Sequence, residues 1–332
     1  MPKPHYEAFK YSSSYDPEAI TTAATMDVDD GTRRRFYAAT GAGDRSDQQL
    51  AVYLTIADSA NRERAPVVRM TAFSDDNGRP EGGYFDAFLS HALKRPVLAP
   101  NAPGIDFSKW RDPKKNHAHK MTPDQHEELV KKGSFKRTGA AIMRALMAAS
   151  NHFELNPDYL LTATSMGVAL SGGVIREGLD KGVKFEGITL GEPVNIVERN
   201  LGRLAIQFAT QFAPANNYLK QNPSEIPGES QRHWMKRLVE AREANHAYAH
   251  ALGRASLLLD LGNVSDIADN QIPVLLGRGT ASTLAPERAF ADIANTFSNA
   301  RIDPVIEMNH GHGHSYTLAV ESVVKSARAI AA

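Results

Sequence analysis

The chain has 332 residues, 38 Lys and Arg against 38 Asp and Glu, and no cysteine. A net charge of zero leaves no overall field to gather nucleic-acid phosphates or anionic lipid, and the lack of cysteine removes disulfides, thiolate metal sites and cysteine nucleophiles together. With 42% hydrophobic and 23% charged residues, this is the composition of an ordinary globular protein, long enough for one large α/β domain with an insertion.

Residues 1–30 are polar and irregular and predict an arm that is packed on the domain or partly mobile. They hold no continuous apolar core, and no later segment nears the about 18 apolar residues of a membrane helix, so neither export by this route nor membrane anchoring is expected. Cytoplasm is the default location. Two β-rich runs follow, RRRFYAAT at 33–40 and QLAVYLTIA at 49–57, separated by the turn-forming GAGDRSD. They predict a hairpin or meander at a sheet edge.

From residue 66 short apolar runs alternate with helical stretches, the rhythm of βαβ units and a mostly parallel sheet flanked by helices. Strands are predicted at 66–73, 95–100, 158–164, 184–190, 272–279 and 303–309, and helices at 82–93, 136–153, 166–180, 285–298 and 316–331. Residues 106–134 mix bases, histidines and acids and read as a solvated loop. Residues 195–268 break the alternation, with helical stretches and no strand, and read as a helical insertion.

The strongest local signal is YLLTATSMGVALSGG at 159–173, where an apolar strand runs into Ser165 and then directly into a helix. So tight a turn needs small residues two places before and after it, and Ala163 and Gly167 supply them. It lifts the Ser165 hydroxyl clear of the sheet and sets the Met166 N–H at a helix amino terminus, where a developing oxyanion is stabilised. A serine that merely caps the helix fits the same letters. Near the end of the chain, NHGHGHSY at 309–316 offers His310, His312 and His314 as bases, or as a flexible loop.

The segment around Ser165 resembles the nucleophile elbow of the α/β-hydrolase family, and the resemblance runs from about residue 66 to the end. PVLAPNAPGID at 96–106 looks like the family's strand and Asp-x-Pro-Gly-x-Gly type loop, with Asn101, Pro103 and Gly104 in matching places. IPVLLGRGTASTLAP at 272–286 resembles the strand and loop that deliver the acid, and NHGHGHSY resembles the histidine loop. The insertion stands where many members carry a helical cap. The resemblance thus implies an arm at 1–30, a hydrolase core at 31–194 and 269–332, and a cap at 195–268.

It also implies roles. Ser165 is the nucleophile and His314, followed by Ser315 as in the family's Gly-His-Ser ending, is the base, with His312 as the alternative. Gly279, Leu284, Ala285 and Pro286 align with the acid loop, but Ser282 stands in the aspartate's place and cannot hold a charge against an imidazolium. Some members carry the acid after the strand that follows the elbow helix, where Glu192 lies; Asp303 and Glu307 are weaker candidates. The second oxyanion donor falls on Ala72 or Phe73 in MTAFSDDNG, where the family often shows His-Gly, with Asp75 and Asp76 expected to face solvent.

The activity implied is that of a serine hydrolase on a small, partly apolar ester or related acyl substrate, with Phe208, Phe212, Tyr218 and Trp234 of the cap lining its pocket. No metal or cofactor is called for, and association of identical copies is compatible with the sequence. Ser282 and the missing His-Gly favour the other reading, a catalytically impaired member that serves as a binding or assembly module.

Overall fold

The structure, a computed structural model, describes residues 8–9, 33–40, 48–70, 72–73, 77, 80–105, 120–221, 241–262, 267, 271–279, 282–296 and 306–308. Among these residues one sheet is formed by β1 (Ala8–Phe9), β2 (Arg33–Ala39), β3 (Gln49–Thr55), β4 (Val67–Met70), β5 (Val97–Pro100), β6 (Tyr159–Thr164), β7 (Phe185–Gly191), β8 (Val274–Gly279) and β9 (Ile306–Met308). Its spatial order is β1-β9-β8-β7-β6-β4-β5-β3-β2. All neighbours pair in parallel except β5 with β3 and β3 with β2, so β3 alone runs against the rest.

The central strands are mostly apolar because both faces are covered. Every residue from Tyr159 to Ala163 is buried, as are all four of β4 and of β5. The outer pair β2–β3 is the hairpin that the two early β-rich runs predict, and β2 keeps an exposed face as the edge position requires. Ala8 and Phe9, from within the expected arm, extend the opposite edge by pairing with Glu307 and Met308.

The crossovers are helical: α1 (Pro80–Leu93), α2 (Pro123–Glu127), α3 (Lys136–His152), α4 (Met166–Asp180), then α5 (Leu201–Gln221), α6 (Arg242–Leu252) and α7 (Leu257–Leu261), and finally α8 (Glu287–Thr296). The run α5 to α7 lies between β7 and β8, and non-helical stretches at 195–200 and 253–256 flank these helices, joined by an isolated bridge between Glu198 and Arg254. The helix predicted at 316–331 lies outside the described residues. Helices α3 and α4 approach closely enough that a Cβ on Gly139 would meet the Leu170 carbonyl oxygen at 2.5 Å.

One expectation fails. Part of the supposed solvated loop is structured, because Thr122-Pro-Asp-Gln is a capping box with proline in the first turn. The Gln125 N–H donates to Thr122 Oγ1 at 3.2 Å, and the Thr122 N–H donates to Gln125 Oε1 at 2.9 Å. The helix continues as a π-helical turn over Glu128–Lys132 and stops at Gly133 with φ +67°. Its polar residues hid a buried face: Gln125 is enclosed and bonded to Gln48.

The insertion is tied to the core by a buried carboxylate. Asp260 of α7 accepts from Ser134 Oγ at 2.6 Å, the Phe135 N–H at 2.8 Å and Ser256 Oγ at 3.2 Å, so it holds the start of α3. Burial raises its pKa above the ordinary 3.8, against those hydrogen bonds, which lower it. A carboxyl whose folded pKa exceeds its unfolded one contributes fully below the unfolded value and loses that contribution as pH rises through the folded one. Asp260→Ala leaves three buried donors unmet and should cost about 3 kcal/mol. The deficit should be larger at pH 4 than at pH 8, as measured by urea unfolding of both proteins.

Candidate functional site

The parallel strands end along one edge of the sheet. Met70 is level with Ala163, Thr164 with Gly191, and Gly191 with Gly277, while Gly279 is level with Met308. The loops after β4, β6, β7 and β8 therefore leave from one side, and these loops carry Ala72 and Phe73, Ser165, Glu192 and Ser282. This is where an open parallel sheet places its ligands. His310, His312 and His314 lie outside the described residues, as do Asp75, Asp76, Asp303 and the side chain of Glu307.

Ser165 stands between β6 and α4 with φ +57° and ψ −122°, a conformation that L-residues rarely adopt. Two backbone bonds hold it there: its N–H donates to the Gly191 carbonyl at 3.0 Å, and the Val168 N–H donates to its own carbonyl at 3.0 Å. Ala163 and Gly167, both buried, give the turn room. The side chain makes no capping bond to the helix it precedes. That separates the residue from an ordinary helix-capping serine, whose oxygen would take up one of the first N–H groups.

The turn does not lift the serine into solvent, however. Ser165 is only 5% exposed. Met166 opens α4 and is fully buried. As the first helical residue it has no carbonyl one turn earlier for its N–H, which stands at the positive end of the helix dipole.

Glu192 follows β7 with φ +53°, and its N–H donates to the Gly277 carbonyl at 2.8 Å. It is 4% exposed, so this is no surface carboxylate. Its Oε2 accepts the Ser282 hydroxyl at 2.7 Å, and the Ala285 N–H donates to Ser282 Oγ at 3.2 Å. Sequence reasoning treated Ser282 as a lost acid and Glu192 as its separate replacement. The structure joins them, with the hydroxyl from the loop after β8 on the carboxylate from the loop after β7.

Ala72 and Phe73 are half-buried in the loop after β4. The Phe73 ring stacks on Phe208 of α5, centroids 5.8 Å apart. Of the four aromatics expected to line a pocket, Phe208 alone has a described side chain, and it is buried.

The far end of this loop is anchored by a buried polar network that the sequence did not suggest. The Asn77 N–H donates to Asn101 Oδ1 at 2.9 Å, and its Nδ2 donates to the Pro100 carbonyl at 2.8 Å. The Arg69 guanidinium reaches Asn77 Oδ1 and Asp86, and Arg33 reaches the Asn77 carbonyl and Asp86. The available signal was an arginine inside the apolar strand PVVRM together with an aspartate inside an apolar helix.

Among the described residues no three His, Asp or Glu side chains gather as a metal site would require, and no helix is long and apolar enough to cross a membrane.

No family model and no curated protein matches the sequence. Solved structures do match by shape. A chain described as a lipase from Acinetobacter baumannii AYE aligns over 98% of this chain and 99% of its own, with TM-score 0.57 and 10% identity. The 2-hydroxy-6-oxo-6-phenylhexa-2,4-dienoate hydrolase of Rhodococcus sp. strain RHA1 aligns over 90% and 99%, with TM-score 0.55 and 12% identity. An esterase of Pyrobaculum calidifontis aligns over 94% and 87%, with TM-score 0.55 and 12% identity. Agreement over nine tenths or more of the chain, at identities that speak for architecture alone, establishes that the protein has the α/β-hydrolase fold.

Proposed function

We propose that the protein is a serine hydrolase acting on a small, partly apolar ester or related acyl substrate. The observation that carries this reading is the backbone of Ser165, held in a strained conformation with its hydroxyl unused by the helix it precedes. Strain of this kind persists where surrounding structure imposes it, and here it aims a hydroxyl beside a helix amino terminus.

In the proposed reaction Ser165 Oγ attacks the acyl carbonyl carbon while His314, or His312 in its stead, takes the hydroxyl proton. The carbonyl electron pair moves onto oxygen, which the N–H groups of Met166 and of Ala72 or Phe73 receive. Collapse re-forms the carbonyl and breaks the ester C–O bond, and the leaving alkoxide takes the proton from the imidazolium. Water, deprotonated by the same histidine, then attacks the acyl-serine; the acid leaves and Ser165 regains its proton. Glu192 orients the imidazole and balances its positive charge.

The partly apolar substrate is supported by the Phe73–Phe208 stack, which sets aromatic carbon beside the loop expected to hold the oxyanion. The lipase and esterase among the structural neighbours are in keeping with acyl chemistry. The impaired-module reading drew on Ser282 as evidence of a missing acid. A buried carboxylate 2.7 Å from that hydroxyl supports the hydrolase reading instead.

A fluorophosphonate probe tests the proposal. The wild type should be labelled covalently and Ser165→Ala should not; a folded wild type that stays unlabelled would return the impaired reading. Glu192→Gln should slow labelling by about 10⁴-fold with little effect on folding, in line with the cost of neutralising an orienting acid. The strain has its own signature. Ser165→Gly should be about 1 kcal/mol more stable than Ser165→Ala, because only glycine adopts the turn's φ freely. Equal unfolding midpoints for the two would show that the turn is unstrained.

A further inference from the structure

We propose that Ser282 is a positioning residue that acts through Glu192, so that the acid of the site is delivered by two loops together. The inference rests on the catalytic reading of Ser165 and Glu192 given above. A hydroxyl has one proton to donate and two lone pairs. The Ala285 N–H donates to Ser282 Oγ at 3.2 Å, and the hydroxyl proton is spent on Glu192 Oε2 at 2.7 Å. Both residues are buried, Ser282 at 6% and Glu192 at 4% exposure, so the bond is sheltered from competing water.

The support extends outward. The loop that carries Ser282 is gripped by the helical insertion: Arg199 Nη2 donates to the Leu284 carbonyl at 2.7 Å and to the Thr283 carbonyl at 3.3 Å. Gln207 Nε2 donates to the Thr283 carbonyl at 3.2 Å, and the Thr283 N–H donates to Gln211 Oε1 at 3.3 Å. The hydroxyl therefore sits on a fixed backbone, whereas a glutamate has a long side chain with several rotatable bonds. Fastening Oε2 to that backbone gives the carboxylate a defined plane, and hence a defined direction in which to hold an imidazole. Ser282 stands where the resembled family carries its aspartate, and it supports the acid there in place of being the acid.

The test is a double-mutant cycle, read by the rate of fluorophosphonate labelling and by kcat and KM for p-nitrophenyl butyrate. Ser282→Ala should lower kcat and the labelling rate about tenfold or more, the worth of a hydrogen bond to a charged group, with KM nearly unchanged. Ser282→Thr, which keeps the hydroxyl, should restore most of the rate. In a Glu192→Gln background, Ser282→Ala should cost nothing further. Thermal unfolding checks each variant, and Ser282→Cys, of similar size and a weak donor, replaces the alanine if that protein does not fold. Ser282→Ala at the wild-type rate while Glu192→Gln is slow would overturn the proposal, and so would an equal loss in both backgrounds. A Glu192→Gln protein as fast as wild type would instead sink the acid itself, and Ser282's role with it.

Discussion

The conformation of Ser165 is the constraint from which the rest of the site follows. At φ +57° and ψ −122° the backbone reverses from the middle of the sheet into a helix within one residue. Such a position costs about 1–3 kcal/mol and lasts only where its surroundings over-determine it. Here they do: β6 is paired on both sides by β4 and β7, the Ser165 N–H is taken by Gly191, and α4 is packed tightly against α3. The strain is local, but its support is the whole central layer. What the fold gains is a hydroxyl and a helix amino terminus in one place.

Glu192 repeats the same device one strand over. It too has a positive φ, and it too is fastened by its N–H to the neighbouring strand, here at Gly277. Two non-glycine residues, each placed just after its strand, bend their backbones the same way and bring polar side chains to the same edge. The Ser282 hydroxyl gives this buried carboxylate a hydrogen-bond partner, and Arg199 and Gln207, which grip the 283–284 backbone, make the insertion part of the same assembly.

The elements that the sequence revealed best are those where local pattern and tertiary need agree. The strand ending at Thr164 and the helix opening at Met166 were legible because an apolar run, small residues at 163 and 167 and a helical period coincide. The pairing of Ser282 with Glu192 was not legible, since the two are 90 residues apart and no local pattern links one to the other. Alignment to a family pattern marks Ser282 as a departure and says nothing of its bond to Glu192. The burial of Ser165 was likewise invisible, because enclosure is a tertiary property that the five letters around the serine do not carry. The helix at 123–127 was missed for another reason: charged and amide residues hid a capping box that could have been read.

The network around Asn77 shows how a site is held by groups that never approach the chemistry. Two guanidiniums and one carboxylate, all buried, would be a poor way to stabilise a core, since their desolvation offsets most of their attraction. Their value lies in geometry. Arg69 extends from β4 just before the loop begins, Asn77 lies at its far end, and Asp86 lies on the helix that follows, so the bonds among them close the loop on itself. Arg33 adds the outermost strand β2 to the same knot. Apolar replacements could fill the same volume, but they could not specify where residues 72 and 73 stand relative to Ser165. In the proposed mechanism this loop's main chain receives a developing charge, and preorganised donors need no rearrangement at the moment of reaction. A satisfied polar knot supplies that rigidity, and this accounts for charged residues in the interior of a protein whose composition gave no sign of needing them.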